Sequence, residues 1–205
     1  MNTQNTPQDF NQSQYEQHTA TYLESNSNGR IGGETPENRI AYLGEYIKPG
    51  ARILEIGSGN GRDAIIFASK GYTVTPSDYV DSFLDEMRKA GLHPLKLDAK
   101  HDDLPIPQDC IYANALFVHF SPEESAAFLQ KAHTILPPDG VIFMSMIQGE
   151  GYARTARTRG FERDFYYYSL QQIDSILKDA GFSVLQSQEI IEGSTVWIQV
   201  VAQVS

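Results

Sequence analysis

The chain has 205 residues, a formal net charge of −10 at pH 7 and a single cysteine, Cys110. This length suits one domain, with or without a short extension. The acidic balance argues against nucleic-acid and anionic-membrane partners, because like charges repel. One cysteine excludes an intramolecular disulfide and a thiolate metal cluster, and no metal site is predicted. We expect no signal peptide, since residues 1–14 lack a basic region and an apolar core, and no apolar run is long enough to cross a bilayer, so a cytoplasmic protein is expected.

Residues 1–34 show no clear periodicity, although Tyr15 and Tyr22 are compatible with a short helix. We expect a partly ordered segment, with its first ten or so residues frayed. It is a possible lid from which Tyr22 and Arg30 line a bound cofactor. Residues 35–205 are predicted to form the main domain.

Helical and strand patterns alternate through the main domain. A helix is predicted from Thr35-Pro36, an N-cap followed by proline, up to Pro49-Gly50. Five strands are predicted at residues 52–56, 72–75, 95–97, 111–118 and 141–147. Helices with one apolar face are predicted between them, and two of these begin at capping boxes, Ser121/Glu124 and Ser169/Gln172.

The end of the chain breaks this alternation. Two strands, at residues 182–190 and 195–203, are joined by a short turn at Glu192-Gly193-Ser194. A connection this short cannot make a parallel crossover, so the two strands must run antiparallel. The sequence therefore predicts an α/β fold: a Rossmann-like, doubly wound sheet that is mostly parallel and ends in an antiparallel C-terminal hairpin.

Closely spaced glycines, Gly57, Gly59 and Gly61, lie between the first predicted strand and its helix. Glycine allows a tight turn there and lets a ligand approach backbone N–H groups. Dinucleotide binders use G-x-G-x-x-G, whereas the third glycine here comes one residue earlier. With Glu55 before the loop and Ser58 within it, this spacing resembles motif I of the class I S-adenosylmethionine-dependent methyltransferases. The resemblance implies that S-adenosyl-L-methionine is the cofactor and that the loop holds its methionine part.

Asp78 follows the second predicted strand, 21 residues after Gly57. A carboxylate there can accept the hydrogens of both ribose hydroxyls, and Tyr79 is expected in the same cofactor site. The alternative role for Asp78 is to cap the following helix. Proline lacks the N–H that a central strand needs, so Pro76 predicts that the strand ends before this acid.

Three further residues are assigned through the same resemblance. Asp98 and the backbone of Ala99 match the segment that contacts adenine in the family, and Asn114 lies on the strand that ends beside the transferred methyl group. His119, a few residues later, is a candidate to take a proton from the acceptor, although a lone histidine is more often structural.

Residues 149–168 form an insertion that, in this fold, commonly covers the acceptor site. The segment contains four arginines within ten residues: Arg154, Arg157, Arg159 and Arg163. Arginine can clamp a carboxylate or phosphate, and tyrosine can stack or donate a hydrogen bond. We expect Arg154, Tyr166 and Tyr168 to bind the substrate. The alternative is a surface loop whose arginines pair with acidic residues.

From about residue 52 to residue 203, the chain resembles small bacterial class I methyltransferases related to the UbiE and tellurite-resistance-type group. This resemblance implies methyl transfer to O, N or S of a small-molecule acceptor. The absence of a catalytic triad is no objection, because a sulfonium is already a good electrophile. Two alternatives remain: a non-catalytic S-adenosylmethionine-binding sensor or subunit, and an NAD-dependent oxidoreductase, which the position of Gly61 and the closing hairpin disfavour.

Overall fold

The computed structural model describes residues 9–27, 29–30, 34–157 and 160–205, and within these ranges nine strands form one sheet. The strands are β1 Arg52–Ile56, β2 Thr73–Asp78, β3 Leu95–Lys96, β4 Cys110–Ala113, β5 Val141–Gln148, β6 Gly151–Thr155, β7 Arg163–Tyr168, β8 Phe182–Glu192 and β9 Thr195–Val204. The main part of the sheet has the order β3-β2-β1-β4-β5-β9-β8. Its first five strands are parallel, and β9 runs antiparallel to both β5 and β8. The predicted fold class is confirmed.

Seven α-helices are found within the same ranges: α1 Phe10–Gln17, α2 Thr19–Ser25, α3 Pro36–Gly44, α4 Arg62–Ser69, α5 Asp81–Lys89, α6 Pro122–Ile135 and α7 Leu170–Asp179. Both predicted capping boxes are present. At α6, the Ser121 hydroxyl accepts from Glu124 N at 3.2 Å, and the Glu124 carboxylate accepts from Ser121 N at 2.8 Å. No helix in this part of the chain combines the length and apolarity needed to cross a membrane.

The central strands are buried on both faces, as expected for a parallel sheet covered by helices. Along β1, Ile53 packs into one apolar cluster with residues of α3 and α4, whereas Leu54 packs into another with residues of α6 and α7. Both side chains are fully excluded from solvent. Two apolar layers therefore hold the sheet and fix the strand ends that form the site.

The second strand continues through Pro76 to Asp78, so the prediction that it ends at the proline is wrong. Leu97 N donates to Asp78 O, which shows that alternate residues of β2, Pro76 among them, direct their backbone groups toward β3. Strand β3 is only two residues long and pairs only with Ser77 and Asp78. No partner on that side needs an amide at Pro76, so the strand tolerates the proline.

The fourth strand ends at Ala113, well before the predicted end at residue 118. Ala115 has a φ of 54°, and a 3-10 helix follows at Phe117–His119. The Ala115 N–H donates to Ser145 Oγ on β5 at 2.7 Å, which holds the turn against the neighbouring strand. This turn brings Asn114 to the carboxyl end of the parallel strands, where α/β sheets bind ligands.

The N-terminal cover, residues 9–27, contains two helices where one short helix was expected. Asn11 pairs with both backbone groups of Asp164 on β7, at 3.2 and 2.7 Å. On the opposite side, the Glu16 carboxylate accepts from Ser82 N at the start of α5, at 3.1 Å. The cover is therefore fastened to two separate parts of the domain.

Candidate functional site

A cavity of about 680 Å³ lies at the carboxyl ends of the parallel strands, beneath the N-terminal cover. One side is formed by the loops after β1, β2 and β3, and the other by the turn after β4 and by the β6–β7 and β8–β9 hairpins. Tyr22 and Arg30 line the cavity, in the position proposed for them from the sequence.

The glycine loop after β1 forms one wall of the cavity. Gly57 and Gly59 line it and have φ values of 72° and 56°, in the left-handed region that favours glycine. A Cβ atom at Gly59 would have Tyr22 as its nearest neighbour, at 4.0 Å, so the space beside this backbone is open. Gly61 does not line the cavity; it precedes α4, where a Cβ atom would lie 2.3 Å from Leu92 Cδ1.

Asp78 ends β2 directly beside the glycine loop. Its Oδ2 accepts from Gly59 N at 2.9 Å, and its Oδ1 accepts from Val80 N at 3.0 Å. Burial raises the pKa of Asp78 to about 6, although these amide hydrogen bonds oppose the shift. Val80, not Asp78, is the N-cap residue of α5. The helix-capping alternative therefore loses its support, and each carboxylate oxygen keeps a lone pair for a ligand.

The other residues assigned to adenosine contacts also reach the cavity: Tyr79, Asp98, Ala99 and Asn114. The Asp98 carboxylate accepts from Lys100 N at 2.9 Å and contacts His101 Nδ1 at 2.8 Å. These two contacts hold it in the loop after β3. These residues lie on three different loops, so the fold brings together what the sequence separates.

Glu55 and Ser58 lie outside the cavity, behind the glycine loop. Ser58 Oγ accepts from Ser77 N at 3.0 Å and donates to Glu55 O, which ties the loop to β2. Glu55 is buried, and its Oε2 has no hydrogen-bond partner within the described ranges. Burial, together with the nearby charge of Asp63, raises the pKa of Glu55 well above its ordinary value. These residues shape the loop from behind.

Next to Glu55 is a closed polar cluster of Arg39, Asp63 and Tyr112. Arg39 Nη2 meets Asp63 Oδ2 at 3.1 Å, and the Tyr112 hydroxyl donates to the same oxygen at 2.7 Å. Asn114 joins this cluster to the cavity. The side-chain amide of Asn114 is oriented so that both of its polar atoms have hydrogen-bond partners. Its oxygen accepts from Arg39 at 3.2 Å, and its nitrogen donates to Ser145 Oγ at 2.8 Å.

His119 also lines the cavity, and both of its ring nitrogens are bonded. Nδ1 is 2.7 Å from Asp164 O, and Nε2 is 2.9 Å from the Tyr15 hydroxyl. A carbonyl oxygen only accepts, so Nδ1 carries the hydrogen and Nε2 accepts from Tyr15. Burial and the charges of Arg163 and Lys100 lower the pKa of His119 to about 4, so the ring is neutral at pH 7. The nitrogen that could take a proton, Nε2, is therefore occupied by the Tyr15 hydroxyl, and the proton transfer from the acceptor to His119 that the sequence suggests stays a prediction.

The insertion is a β-hairpin, and its strand register decides which side chains reach the cavity. Arg163 and Phe165 alternate along β7 and both line the cavity. Arg154 is paired with Asp164, on the other face of the hairpin, and its guanidinium forms an ion pair with that carboxylate at 2.7 Å. Arg154 is therefore not among the residues that line the cavity, and its contact with substrate stays a prediction, whereas Arg157, within the same cluster, does line the cavity. Arg159 lies outside the described residues.

The two tyrosines assigned to substrate also lie outside the cavity. Tyr168 is fully buried, and its hydroxyl is bonded to Ser125 Oγ, at 2.8 Å, and to the Phe120 carbonyl. Tyr166 packs on the Tyr152 ring, with the ring centroids 5.2 Å apart. Neither tyrosine is placed in the cavity, so the substrate contacts predicted for both gain no support from the structure.

Sequence reasoning missed several residues that line this end of the cavity: Asn11, Tyr15, Lys100, Phe120, Phe165, Thr195 and Trp197. The period-two alternation of Arg163 and Phe165 was a usable signal for a strand with one inward face. The others carry no local signal, because tertiary packing alone brings them together.

Comparison with known proteins identifies the family. A family described as "Methyltransferase domain" matches residues 30–187. An uncharacterized methyltransferase of Staphylococcus carnosus is 26% identical over 178 residues, covering 75% of this chain and 84% of that protein. The cyclopropane mycolic acid synthase MmaA2 of Mycobacterium tuberculosis is 33% identical over 111 residues, covering 50% of this chain but only 38% of the synthase.

Solved structures share the fold at low sequence identity. Magnesium protoporphyrin IX methyltransferase from Synechocystis PCC 6803, with bound SAH, aligns with a TM-score of 0.75 at 16% identity, over 95% of this chain and 98% of that one. The 1,6-didemethyltoxoflavin-N1-methyltransferase of Burkholderia thailandensis aligns with a TM-score of 0.71 at 20% identity, over 93% and 84%. The family match decides between the two cofactors considered from the sequence, S-adenosyl-L-methionine and NAD. The chain belongs to the methyltransferase-domain family and is an S-adenosyl-L-methionine-dependent methyltransferase.

Proposed function

We propose that this enzyme methylates an oxygen, nitrogen or sulfur atom of a small molecule. The observation that carries the proposal is that one cavity joins the glycine loop to a second group of residues, the acceptor end, defined by Tyr15, His119, Arg163, Phe165 and Trp197. A volume of about 680 Å³ is in the range of sites that enclose a small ligand. The cover over the cavity and the net charge of −10 both disfavour a nucleic-acid strand.

The cofactor end has the groups that S-adenosyl-L-methionine requires. The glycine loop, with open space beside Gly59, suits the methionine part, and Asp78 suits the ribose hydroxyls. Asp98 and Ala99, which line the same cavity, suit the adenine ring. When bound, the cofactor supplies an electrophilic methyl carbon on its sulfonium. The protein therefore has to position the acceptor atom and remove its proton, if it carries one.

Tyr15 and His119 can perform that proton removal together. The Tyr15 hydroxyl lines the cavity and already donates to His119 Nε2. When the acceptor atom forms its bond to the methyl carbon, its proton passes to the Tyr15 oxygen, and the Tyr15 proton passes to Nε2. The Asp164 carbonyl fixes the ring in the required tautomer. Tyr15 is then the catalytic residue, and His119 acts through it.

The names of two structural neighbours support a small acceptor, because they act on 1,6-didemethyltoxoflavin and on magnesium protoporphyrin IX. Cyclopropane mycolic acid synthase, a partial relative, points toward lipids instead. We also propose kinship with the UbiE and tellurite-resistance-type group, which rests on the ordered set of Glu55 to Gly61, Asp78, Asp98 and the strand that ends in Asn114.

The test is to measure S-adenosylhomocysteine formation by the full-length enzyme with a panel of small metabolites, and separately with RNA and with phospholipid vesicles. We expect turnover with a small molecule only. With that acceptor, Tyr15→Phe should lower kcat about 100-fold, the usual scale of acid–base assistance, with little change in the Kd for S-adenosylhomocysteine. Tyr46→Phe, outside the cavity, is the matched control. Turnover with only RNA or vesicles would refute the small acceptor, and an unchanged kcat in Tyr15→Phe would refute the relay.

A further inference from the structure

Arg163 is a buried charge that the proton relay does not require. Its side chain lines the cavity, although the residue is only 3% exposed. Its guanidinium carbon lies 4.7 Å from the centroid of the Phe161 ring, 5.0 Å from Phe165 and 5.7 Å from Tyr15. Arginine stays protonated in proteins, so the acceptor end carries a permanent positive charge among aromatic rings.

No carboxylate neutralises this charge. Nη1 donates to the Tyr15 hydroxyl and Nη2 to Ala156 O, each at 3.3 Å, and Nε has no partner among the described residues. Every Asp and Glu of the chain lies within the described ranges, and none of them forms an ion pair with Arg163 there. A buried cation without a countercharge is costly, and an anionic ligand would remove that cost.

Arg157 adds a second cation at the same place. It lines the cavity, and its guanidinium lies 5.5 Å from the Phe165 ring that Arg163 also contacts. Its side chain donates to Thr195 Oγ1 at 2.8 Å, and it has no carboxylate partner in the described part of the chain. Arg157 also has a φ of 46°, an uncommon conformation for a residue with a side chain, of the kind that clusters at binding sites.

The cavity is also lined by Arg30 and by four other charged residues: Lys100, Asp78, Asp98 and Glu192. Lys100 is already paired, with Asp9 at 3.4 Å and with Glu124 at 3.1 Å. Asp78 and Asp98 lie at the cofactor end. The acid Glu192 lines the acceptor side near Arg157 and forms no ion pair within the described ranges. Two arginines therefore face one acid at the acceptor end, and the more deeply buried of them is unpaired.

We propose that the methyl acceptor carries an oxyanion group, a carboxylate or a phosphate, that Arg163 binds together with Arg157 beside Phe165. The planar guanidinium forks match the two oxygens of such a group, and the ring of Phe165 packs against the apolar body of the acceptor. The anion is then anchored at the acceptor end while the nucleophilic atom faces Tyr15. This inference rests on the proposed function, because it concerns the acceptor of the same reaction.

The test is calorimetric titration of the full-length protein, saturated with S-adenosylhomocysteine, with three matched probes: benzoate, phenyl phosphate and benzamide. We expect benzoate or phenyl phosphate to bind at least about tenfold more tightly than the neutral amide, and the tighter of the two anions identifies the group. Arg163→Gln should abolish the preference for the anion, and Arg163→Lys should keep part of it. As a control, Arg88→Gln removes one positive charge from an exposed ion pair on α5 and should leave the preference for the anionic probe unchanged.

Each other outcome has a defined meaning. If the three probes bind equally, or none binds, the proposal is overturned. If Arg163→Gln weakens S-adenosylhomocysteine as much as it weakens benzoate, Arg163 holds the carboxylate of the cofactor, and the proposal is also overturned. Retained cofactor binding shows that the variant is folded. Failure of the unaltered protein to bind S-adenosylhomocysteine refutes the proposed function instead, so the two failures are distinguishable.

Discussion

Arg39 and Arg163 are equally removed from solvent, at 1% and 3% exposure, yet their surroundings differ. Arg39 meets the Asp63 carboxylate, the Tyr112 hydroxyl and two backbone carbonyls. Arg163 meets the Tyr15 hydroxyl, one backbone carbonyl and three aromatic rings. The first cluster contains its own countercharge, Asp63, whereas Arg163 forms no ion pair with any described residue. Burial alone therefore does not separate a structural charge from a functional one, and the presence of a countercharge is the better criterion.

The largest expected effect tests this contrast directly. Arg39→Met leaves the Asp63 carboxylate without its cation, so we expect the free energy of unfolding to fall by about 4 kcal/mol. Arg163→Met leaves no carboxylate behind, and we expect a change of less than about 1 kcal/mol. Urea unfolding of the ligand-free proteins measures both, and Arg52→Met, in an exposed ion pair, should also stay below about 1 kcal/mol. Equal losses for Arg39→Met and Arg163→Met would break the comparison.

Asp78 is a buried acid without a countercharge. Within the described ranges its carboxylate is held by backbone amides and not by a cation. Burial raises its pKa from 3.8 to about 6, and the ribose hydroxyls require the ionised form. The affinity for S-adenosylhomocysteine should therefore fall about tenfold per pH unit below pH 6. Asp78→Asn should weaken binding about 30-fold at pH 8 and remove this pH dependence.

Calorimetric titrations between pH 5 and pH 8 measure this prediction, with Asp85→Asn, on the exposed side of α5, as the control. In the ligand-free protein, the same raised pKa acts in the opposite direction. The folded state holds the proton of Asp78 more tightly than the unfolded state, so the contribution of this group to stability is lost as pH rises from about 4 to about 6. An affinity that is constant from pH 5 to pH 8 would contradict the assignment of Asp78 to the ribose.

The smallest expected effect concerns backbone positions. Gly50 and Gly59 both have positive φ, at 76° and 56°, but only Gly59 lines the cavity. Alanine at either position should lower the free energy of unfolding by about 1 kcal/mol, because a Cβ atom disfavours this conformation. Only Gly59→Ala should also weaken S-adenosylhomocysteine, by about tenfold, since its methyl group takes up space in the cavity. If Gly50→Ala and Gly59→Ala bind S-adenosylhomocysteine equally well, the glycine loop does not contact the cofactor.

The fold was largely predictable because its signals are local. The capping boxes at Ser121 and Ser169 and the short turn before Thr195 identify their elements without reference to the rest of the chain. The predictions that failed concern the ends of β2 and β4, because neighbouring strands determine where these two strands end. Strand β2 tolerates Pro76 because β3 is short, and β4 stops at Ala113 because the chain turns against β5.

The two ends of the cavity differ in the same way. Residues assigned to the cofactor follow strands at motif spacings, and most of them reach the cavity. The acceptor end draws on segments far apart in sequence, with Tyr15 on α1, His119 after β4 and Arg163 on β7. The choice between Arg154 and Arg163 depends on the register of a hairpin for which no strands were predicted. Composition places arginines in this segment, but only tertiary structure assigns them to faces.

The position of the N-terminal cover has a consequence for inferring specificity from kinship. The stretch shared with the methyltransferase family begins at residue 30 and ends at residue 187. Tyr15 precedes that stretch and Trp197 follows it, yet both border the acceptor end. Two enzymes that are similar over this shared stretch but differ near their termini can therefore use the same methyl donor and methylate different compounds. Identity counted over the common stretch leaves out these two residues of the acceptor end, so divergence in acceptors should also be sought near the two termini.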